Sequence, residues 1–553
     1  MRHNKAQIKN DNTLADLCIS SSIKYKDRLA LAMLSEGKIC RRVTYSELGK
    51  RAGQFAAALR QMGVEEGGRV LLLSENSPEW VIAYFGISLA GAISVPLLTG
   101  FSSEQIQNIA AHCGTSAICL SRAMADKFEH DNLNALLKTP FIYIDSMTED
   151  KNSGMEIPIS VNGQEQRIKI QSAGSPALIS NCDDPATIIY TSGTQGNSKG
   201  VTLSSKNLIS SAISSLSFVK LFPSDKLFSV LPLAHSYECT LGLIAPIFSG
   251  SSVTYIDKPP SPSVLLPALK LLRPTIMLTV PLLIEKIYNN AIASKLRSSK
   301  LYKLALTRPI AIWFAGRKLH SALGGKIRFF GIGGAPLSHK TENFLYRAKF
   351  PYSIGYGLTE AAPLVAGNTP RRFRIHSGSK AAKGVTMRIV KCPFSAESDI
   401  GEIQVKGPNV MTGYYNDSEK TAEVITSDGW LRTGDLGQID KKGRLHIKGR
   451  LKALILSSSG ENIYPEEIEE LLGSSALVED ALVYSSDKGE LIALISLSEA
   501  AKAVTDALEH ALEDLRKWTN KKLAAFSRLS RIEVKLEPFE KTPTMKIKRY
   551  LYV

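Results

Sequence analysis

Between Thr187 and Leu208 the sequence reads TIIYTSGTQGNSKGVTLSSKNL. An apolar strand runs into three glycines, four hydroxyl-bearing residues and one lysine, ahead of a predicted helix. Flexible backbone amides, hydroxyl donors and a cation gathered in one turn make a phosphate cradle. Its candidate residues are Thr191, Ser192, Gly193, Thr194 and Gly196, with Lys199 as the cation. The loop is not a Walker A motif, because no Gly stands four residues past a first Gly and directly before Lys-Ser/Thr, which disfavours a P-loop kinase or ATPase. Most Gly/Ser-rich loops are only turns. Here a fixed order of residue types over more than ten positions follows a hydrophobic strand, and that favours the cradle.

Further segments carry chemistry-bearing residues downstream: GGAP at 333–336, YGLTEAAP at 356–363, GWLRTGDLGQID at 429–440, KGRLK at 448–452, SSSGENIYPEEIEE at 457–470 and EPFEKTPTMKIKRY at 537–550. Taken singly, GGAP is a tight turn, Asp435 after Gly a turn residue, and Lys546 a solvated lysine in a basic tail. Together and in this order, across most of the chain, they resemble the adenylate-forming superfamily of acyl-CoA synthetases, acyl-carrier-protein synthetases, luciferases and peptide-synthetase adenylation domains. The family's signature loop is usually YTSGTTG-x-PKG; this chain has Gln195 for the usual Thr and Ser198 for the usual Pro.

The resemblance implies a role for each matching residue. Tyr356 would lie against the adenine, as would the turn Gly333, Gly334 and Ala335, with Gly357 also among the cofactor-binding residues. Thr359 would meet the α-phosphate, and Glu360 would hold Mg²⁺, a hard cation suited to carboxylate and phosphate oxygens. Asp435 would accept hydrogen bonds from the ribose hydroxyls, with Arg450 assisting at ribose and phosphate. Lys452 falls on the family's hinge, where members carry Asp or Lys. Gly460 would let the pantetheine arm of coenzyme A pass close to backbone. Lys546 would bridge the substrate carboxylate and the ATP oxygens, offsetting charge as the carboxylate attacks the α-phosphorus.

The implied activity is ATP-dependent acid activation followed by acyl transfer to a thiol, a ligase reaction. LPLAHSYECTLG (231–242) and VPLLIEKIY (280–288) resemble long-chain fatty-acyl-CoA synthetases, so the expected substrates are a fatty acid, ATP and coenzyme A. His235 would stand at the carboxylate end of an acyl pocket, and Leu241, Leu243, Ile244, Ile247 and Phe248 would line a tunnel or belong to the core. The alternatives are an acyl carrier protein as acceptor, or a catalytically silent relative that binds nucleotide or lipid. No Ser/His/Asp triad or nucleophilic cysteine is indicated, in keeping with chemistry made of positioning and charge stabilisation.

The elements that must position these residues follow from pattern. TYSELGKRAGQFAAALRQMG (44–63) has apolar residues at helical spacing; RVLLLS, the helical PEWVIAYFGISLAG and the buried run ISVPL then suggest a parallel crossover unit. Residues 146–172 read as a polar, irregular surface connection. After Tyr464, PEEIEELLGSS reads as helix, VEDALVYSS and ELIALISLS as strands, and 500–525 as helix. The expected fold class is α/β: a large layered domain (1–450), sheets flanked by helices, and a small mobile α+β domain (451–553) rotating near Lys452.

At 553 residues the chain exceeds one core, and 44% hydrophobic with 22% charged residues is the balance of a folded protein. Neither a secretory leader nor a spanning apolar run is expected, so a cytoplasmic protein is, with possible peripheral contact at the inner face of the membrane. Seven scattered cysteines suggest reduced core thiols. The net charge is +16, and residues 286–328 hold ten Lys/Arg and no acidic residue, interleaved with Leu301, Tyr302, Leu304, Ile312, Trp313 and Phe314. That mixture suits an anionic membrane surface or an acidic carrier protein, or simply a solvated basic helix; nucleic acid is disfavoured. The tail 516–553 is cationic too, with eleven basic against three acidic residues.

Overall fold

Thr44 begins the first long helix of the large domain, Tyr45–Gln61: its hydroxyl accepts from the Glu47 amide while the Glu47 carboxylate accepts from the Thr44 amide. Leu48, Ala52, Phe55 and Leu59 then fall on one buried face. The strand Arg69–Leu73, the helix Pro78–Leu89 and the strand Ile93–Leu97 form the expected crossover, with parallel register from Arg69 opposite Ile93 to Leu73 opposite Leu97. The helix is apolar almost all round because it is buried almost all round, including Trp80, Tyr84 and Phe85.

This architecture is seen in a computed structural model that describes residues 12–552 other than 131–135, 137–138, 151–153, 162–163, 172–180, 193–197, 294–295, 297, 305, 376–377, 392–398, 457–461, 487–488, 499–500, 502–507 and 543–545. Among the described residues the large domain is built on two extensive sheets. One continues the crossover unit through Thr115–Leu120 and Phe141–Tyr143 on one side and the hairpin Pro185–Ser192/Ser198–Ser204 on the other. In the second, parallel strands Ile276–Thr279, Phe329–Ile332 and Tyr352–Gly357 run into an antiparallel half that contains Arg444–Arg450 and Leu431–Ile439 and ends with Gly401–Lys406 and Thr386–Lys391. The helices Tyr45–Gln61 and Pro78–Leu89 contribute to the largest apolar core, shared by both sheets.

The C-terminal residues form a smaller α+β unit: the helix Pro465–Gly473, antiparallel strands Val478–Ser485 and Leu491–Leu497, the helix Leu508–Asn520 and the strand Arg531–Lys535. It has its own core, with Ile468, Leu472, Val483, Ile495 and Leu515 at its centre.

Three expectations need correction. Residues 146–172 are not an irregular connection; they contain the strands Thr148–Asp150, Gly154–Val161 and Gln164–Ile170. Met155, Ile157 and Ile159 alternate into the core, while the outer strand meets water and so carries the polar sequence that hid it. The cradle does not pass directly to a helix: the strand Ser198–Ser204 intervenes before the helix Ser205–Ser215. The six described cysteines form no disulfide, but Cys40 is exposed and Cys182 half-buried rather than in the core. Among the described residues no helix is long and apolar enough to cross a membrane.

Candidate active site

The hairpin that carries the cradle is set by its strands. Ile188 and Ile189 are buried, and the register places Thr191 opposite Lys199 and Ser192 opposite Ser198. Gly200 follows because a Cβ there would lie 2.9 Å from Ile188 and 3.2 Å from Tyr415. The turn itself, with the expected Gly193, Thr194 and Gly196, lies outside the described residues, as does the Ser192 side chain.

Lys199 leaves this hairpin with its ammonium 4.9 Å from the centre of the Tyr414 ring. The Tyr414 hydroxyl donates to Glu360 Oε1 at 3.0 Å, so one tyrosine joins the cradle lysine to the carboxylate expected at the metal. Burial and the Glu360 charge both push the Tyr414 phenol up, keeping it a donor. Nothing in the sequence YYND (414–417) singles out Tyr414.

The loop bearing Thr359 and Glu360 is held from behind. Asn409, fully buried, donates to the carbonyls of Ala361 at 2.9 Å and Leu364 at 3.0 Å, and the Met411 amide donates to the Glu360 carbonyl at 2.9 Å. Ser236 donates to the Thr359 hydroxyl at 3.3 Å, tying this loop to the segment that contains His235. At Gly357 a Cβ would stand 2.0 Å from the Pro363 carbonyl, so only glycine fits the doubled-back chain.

Tyr356 projects from the strand Tyr352–Gly357 and donates its hydroxyl to Asp435 Oδ2 at 2.7 Å. The other oxygen, Asp435 Oδ1, is 2.8 Å from Arg450 Nε, the residue directly opposite across the antiparallel pair. Asp435 is buried while Arg450 stays open to solvent, so the carboxylate is fixed from two sides beneath an exposed cation. The turn Gly333–Ala335 lies at the end of the adjacent strand: Gly334 has φ +87°, and Gly333 packs against the Tyr237 ring.

Lys546 reaches this same place from the small domain. Its tail is fastened by Lys541 to Asp480 at 2.8 Å and by an ion pair of Arg549 with Glu469. Surrounding protein strips water from the ammonium and lowers its pKa, as does neighbouring Arg450, while Asp435 and Glu360 act in the opposite sense. Lys546 is nonetheless exposed to solvent over much of its surface. His235 is pushed down to about 4 by burial, then by the Lys546 charge. Its Nδ1 accepts from the Tyr237 amide at 3.2 Å, which leaves the proton of the neutral ring on Nε2. The structure thus places Lys546 within electrostatic reach of His235, Glu360, Asp435 and Arg450, although they are scattered over half the chain.

Beside them lies an apolar cavity lined by Phe218, Val219, Tyr237, Leu241, Phe329 and Gly331, among others. Of the five residues expected at a tunnel or core, Leu241 lines this cavity; Leu243, Ile244 and Ile247 are fully buried in the core and Phe248 packs against it. The segment Glu238–Ile244 is wound as a π-helix, which turns successive residues away from α-helical facing. Lys452 is exposed in the short turn Leu451–Ala453 that leaves the strand of Arg450, and Gly460 lies outside the described residues.

Comparison with known proteins extends the picture over nearly the whole chain. A model of the AMP-binding enzyme family matches residues 21–415, and one of the AMP-binding enzyme C-terminal domain matches residues 452–552. A long-chain-fatty-acid–CoA ligase of Mycobacterium bovis is 30% identical over 491 residues, covering 83% of this chain and 78% of that protein. A chloroplastic long-chain-fatty-acid–[acyl-carrier-protein] ligase of Arabidopsis thaliana is 29% identical over 635 residues, covering 97% and 85%. In fold the chain is similar to the crystal structure of ATP-bound MatB from Rhodopseudomonas palustris, with TM-score 0.76 at 24% identity over 97% of this chain and 98% of that one.

Proposed function

This chain belongs to the AMP-binding enzyme family, and from that premise we propose that it is an AMP-forming ligase that activates a long-chain fatty acid and passes the acyl group to coenzyme A. The observation that carries the reading is Lys546 within electrostatic reach of Asp435, Glu360 and His235 beside an apolar cavity.

In the first step a fatty-acid carboxylate oxygen attacks the α-phosphorus of ATP. The bond from phosphorus to the bridging oxygen breaks and pyrophosphate leaves with the electron pair, giving an acyl-adenylate. Asp435, with Arg450, receives the ribose hydroxyls, and Tyr356 with the Gly333–Ala335 turn and Gly357 receives the adenine. The cradle from Thr191 to Gly196, with Lys199 and Thr359, holds the phosphates. Lys546 spans carboxylate and α-phosphate oxygens and offsets the charge that gathers there. His235, neutral, presents its Nε2 proton to the carboxylate end of the acyl chain.

A magnesium ion fits this donor set. A lone carboxylate beside a phosphate site is the kind of oxygen donor this hard cation takes. Glu360 would hold it, and the ion would screen phosphate charge.

In the second step the thiol sulfur attacks the acyl carbon, the bond to the AMP oxygen breaks with its electron pair, and the thiol proton passes to solvent. Lys546 must then withdraw. We assign residues 1–450 and 451–553 to two bodies that rotate about Lys452, exchanging the Lys546 face for the Gly460 loop. An acyl carrier protein is the second candidate acceptor, favoured by the similarity to the Arabidopsis ligase. AMP and pyrophosphate release with MgATP, a panel of fatty acids and either thiol tests the proposal. It fails if no acid stimulates release, and the acceptor is reassigned if only the carrier supports thioester formation.

A further inference from the structure

The stretch 286–328, with ten basic and no acidic residues, folds in part as the short helix Lys300–Lys303 packed on the helix Arg308–Ala322. The longer helix presses Ala311, Ile312, Gly316 and Leu319 inward, in the core that holds Phe330 and Leu345. A Cβ on Gly316 would be 2.5 Å from that of Ala348, so this face is closely seated.

The outward side is not the polar face of an ordinary surface helix. Leu301, Leu304, Leu306, Ile310, Trp313 and Phe314 are all exposed, Leu306 to 94% and Leu304 to 62%. The Trp313 and Phe314 rings meet edge to face at 5.0 Å, and the Arg317 guanidinium lies 5.0 Å from the Trp313 ring centre. Lys303, Arg308, Arg317 and Lys318 are exposed around them, and no ion pair with a carboxylate is found for these four among the described residues. A contiguous apolar patch is uncommon on a soluble surface and marks a binding face. The lack of any acid over the segment selects an anionic partner. Bulky aliphatic side chains standing exposed on these two packed helices, with Trp and cations beside them, match the boundary between lipid headgroups and acyl chains better than they match another folded protein.

We propose that the hairpin 300–318 docks the enzyme on an anionic bilayer surface, inserting Leu304, Leu306 and Phe314 while Lys303, Arg308, Arg317 and Lys318 meet the headgroups. The same core ties it to the strand Phe329–Ile332, whose Phe329 and Gly331 line the apolar cavity, so the docking element and the acyl site share one wall. That the membrane is the source of the acyl substrate rests on the fatty-acid reading; docking itself does not.

The test is flotation of the full chain, without ATP or fatty acid, with vesicles of phosphatidylcholine alone or of phosphatidylcholine mixed with phosphatidylglycerol. Binding is expected only to the mixed vesicles. Lys303→Gln with Lys318→Gln is expected to weaken it about tenfold or more at low salt, and Leu306→Ser with Phe314→Ser to abolish it. Unchanged melting temperatures and unchanged turnover of detergent-dispersed acid show that the variants are folded. Equal flotation with both vesicle types, or flotation that survives both double substitutions, overturns the proposal. So does capture of an acidic carrier protein through these lysines with no flotation of the wild type. An inactive ligase would still float, so failure of docking and failure of the catalytic reading are separable.

Discussion

Asp435 and Arg450 face one another across the antiparallel strands Leu431–Ile439 and Arg444–Arg450, with Arg450 Nε 2.8 Å from Asp435 Oδ1. The pair is half-open: the carboxylate is buried and the guanidinium is not. An exposed partner adds little to stability, so this arrangement makes more sense as a preformed ligand site than as a fold clamp. Asp435→Asn keeps the shape and removes the charge. It is expected to raise KM for ATP about 10- to 100-fold, the loss of one or two charge-assisted hydrogen bonds, with the melting temperature nearly unchanged. Steady-state kinetics beside thermal denaturation check both parts.

Glu238 is buried in the π-helix with no partner for Oε2 among the described residues, and burial pushes its carboxyl up to about 8. Because the folded pKa lies above the ordinary carboxylate value, the fold binds the proton more tightly than the unfolded chain does. Stability from this group is therefore complete below about pH 4.5 and is lost as pH rises through about 8. Melting curves of the wild type from pH 6 to 9 are expected to fall more steeply than those of Glu238→Gln, which has no proton to lose. Parallel curves for the two proteins would contradict this.

Asn409 holds the Glu360 loop through two buried hydrogen bonds to carbonyl oxygens. Asn409→Ala leaves both carbonyls unpaired and is expected to cost about 2–4 kcal/mol of stability, while raising KM for MgATP through displacement of Glu360. Chemical denaturation and magnesium titration of turnover are the measurements.

Leu241 lines the apolar cavity, whereas its neighbours Leu243 and Ile244 do not. Leu241→Trp is expected to shift the preferred acid to shorter chains, and Leu243→Val to leave the preference unchanged while lowering stability by about 1 kcal/mol. Relative kcat/KM over a series of chain lengths decides.

Much of the candidate site is legible because its residues sit in short motifs: Tyr356, Glu360, Asp435, Arg450 and Lys546 each stand in one, and the structure places them about one region. What could not be read depends on contacts between distant segments. Tyr414 and Asn409 occupy unremarkable stretches, and their value appears only when one meets Lys199 and Glu360 and the other meets the loop carbonyls. Which of Leu241–Phe248 line the cavity and which belong to the core is open in the sequence, because the π-helical winding of Glu238–Ile244 that turns Leu241 to the cavity and Leu243 and Ile244 to the core has no signature in the residue types. The hairpin Gly154–Ile170 was hidden because its outer strand is paired on one side only and solvated.

The central claim is that Lys546 serves the adenylation step and then gives way. Lys546→Ala can be assayed separately for pyrophosphate release from ATP and fatty acid, and for thioester formation from synthetic acyl-adenylate and coenzyme A. The account predicts a loss of about 10²- to 10³-fold in the first reaction and near wild-type rates in the second. Equal loss in both half-reactions, or none in the first, would contradict it.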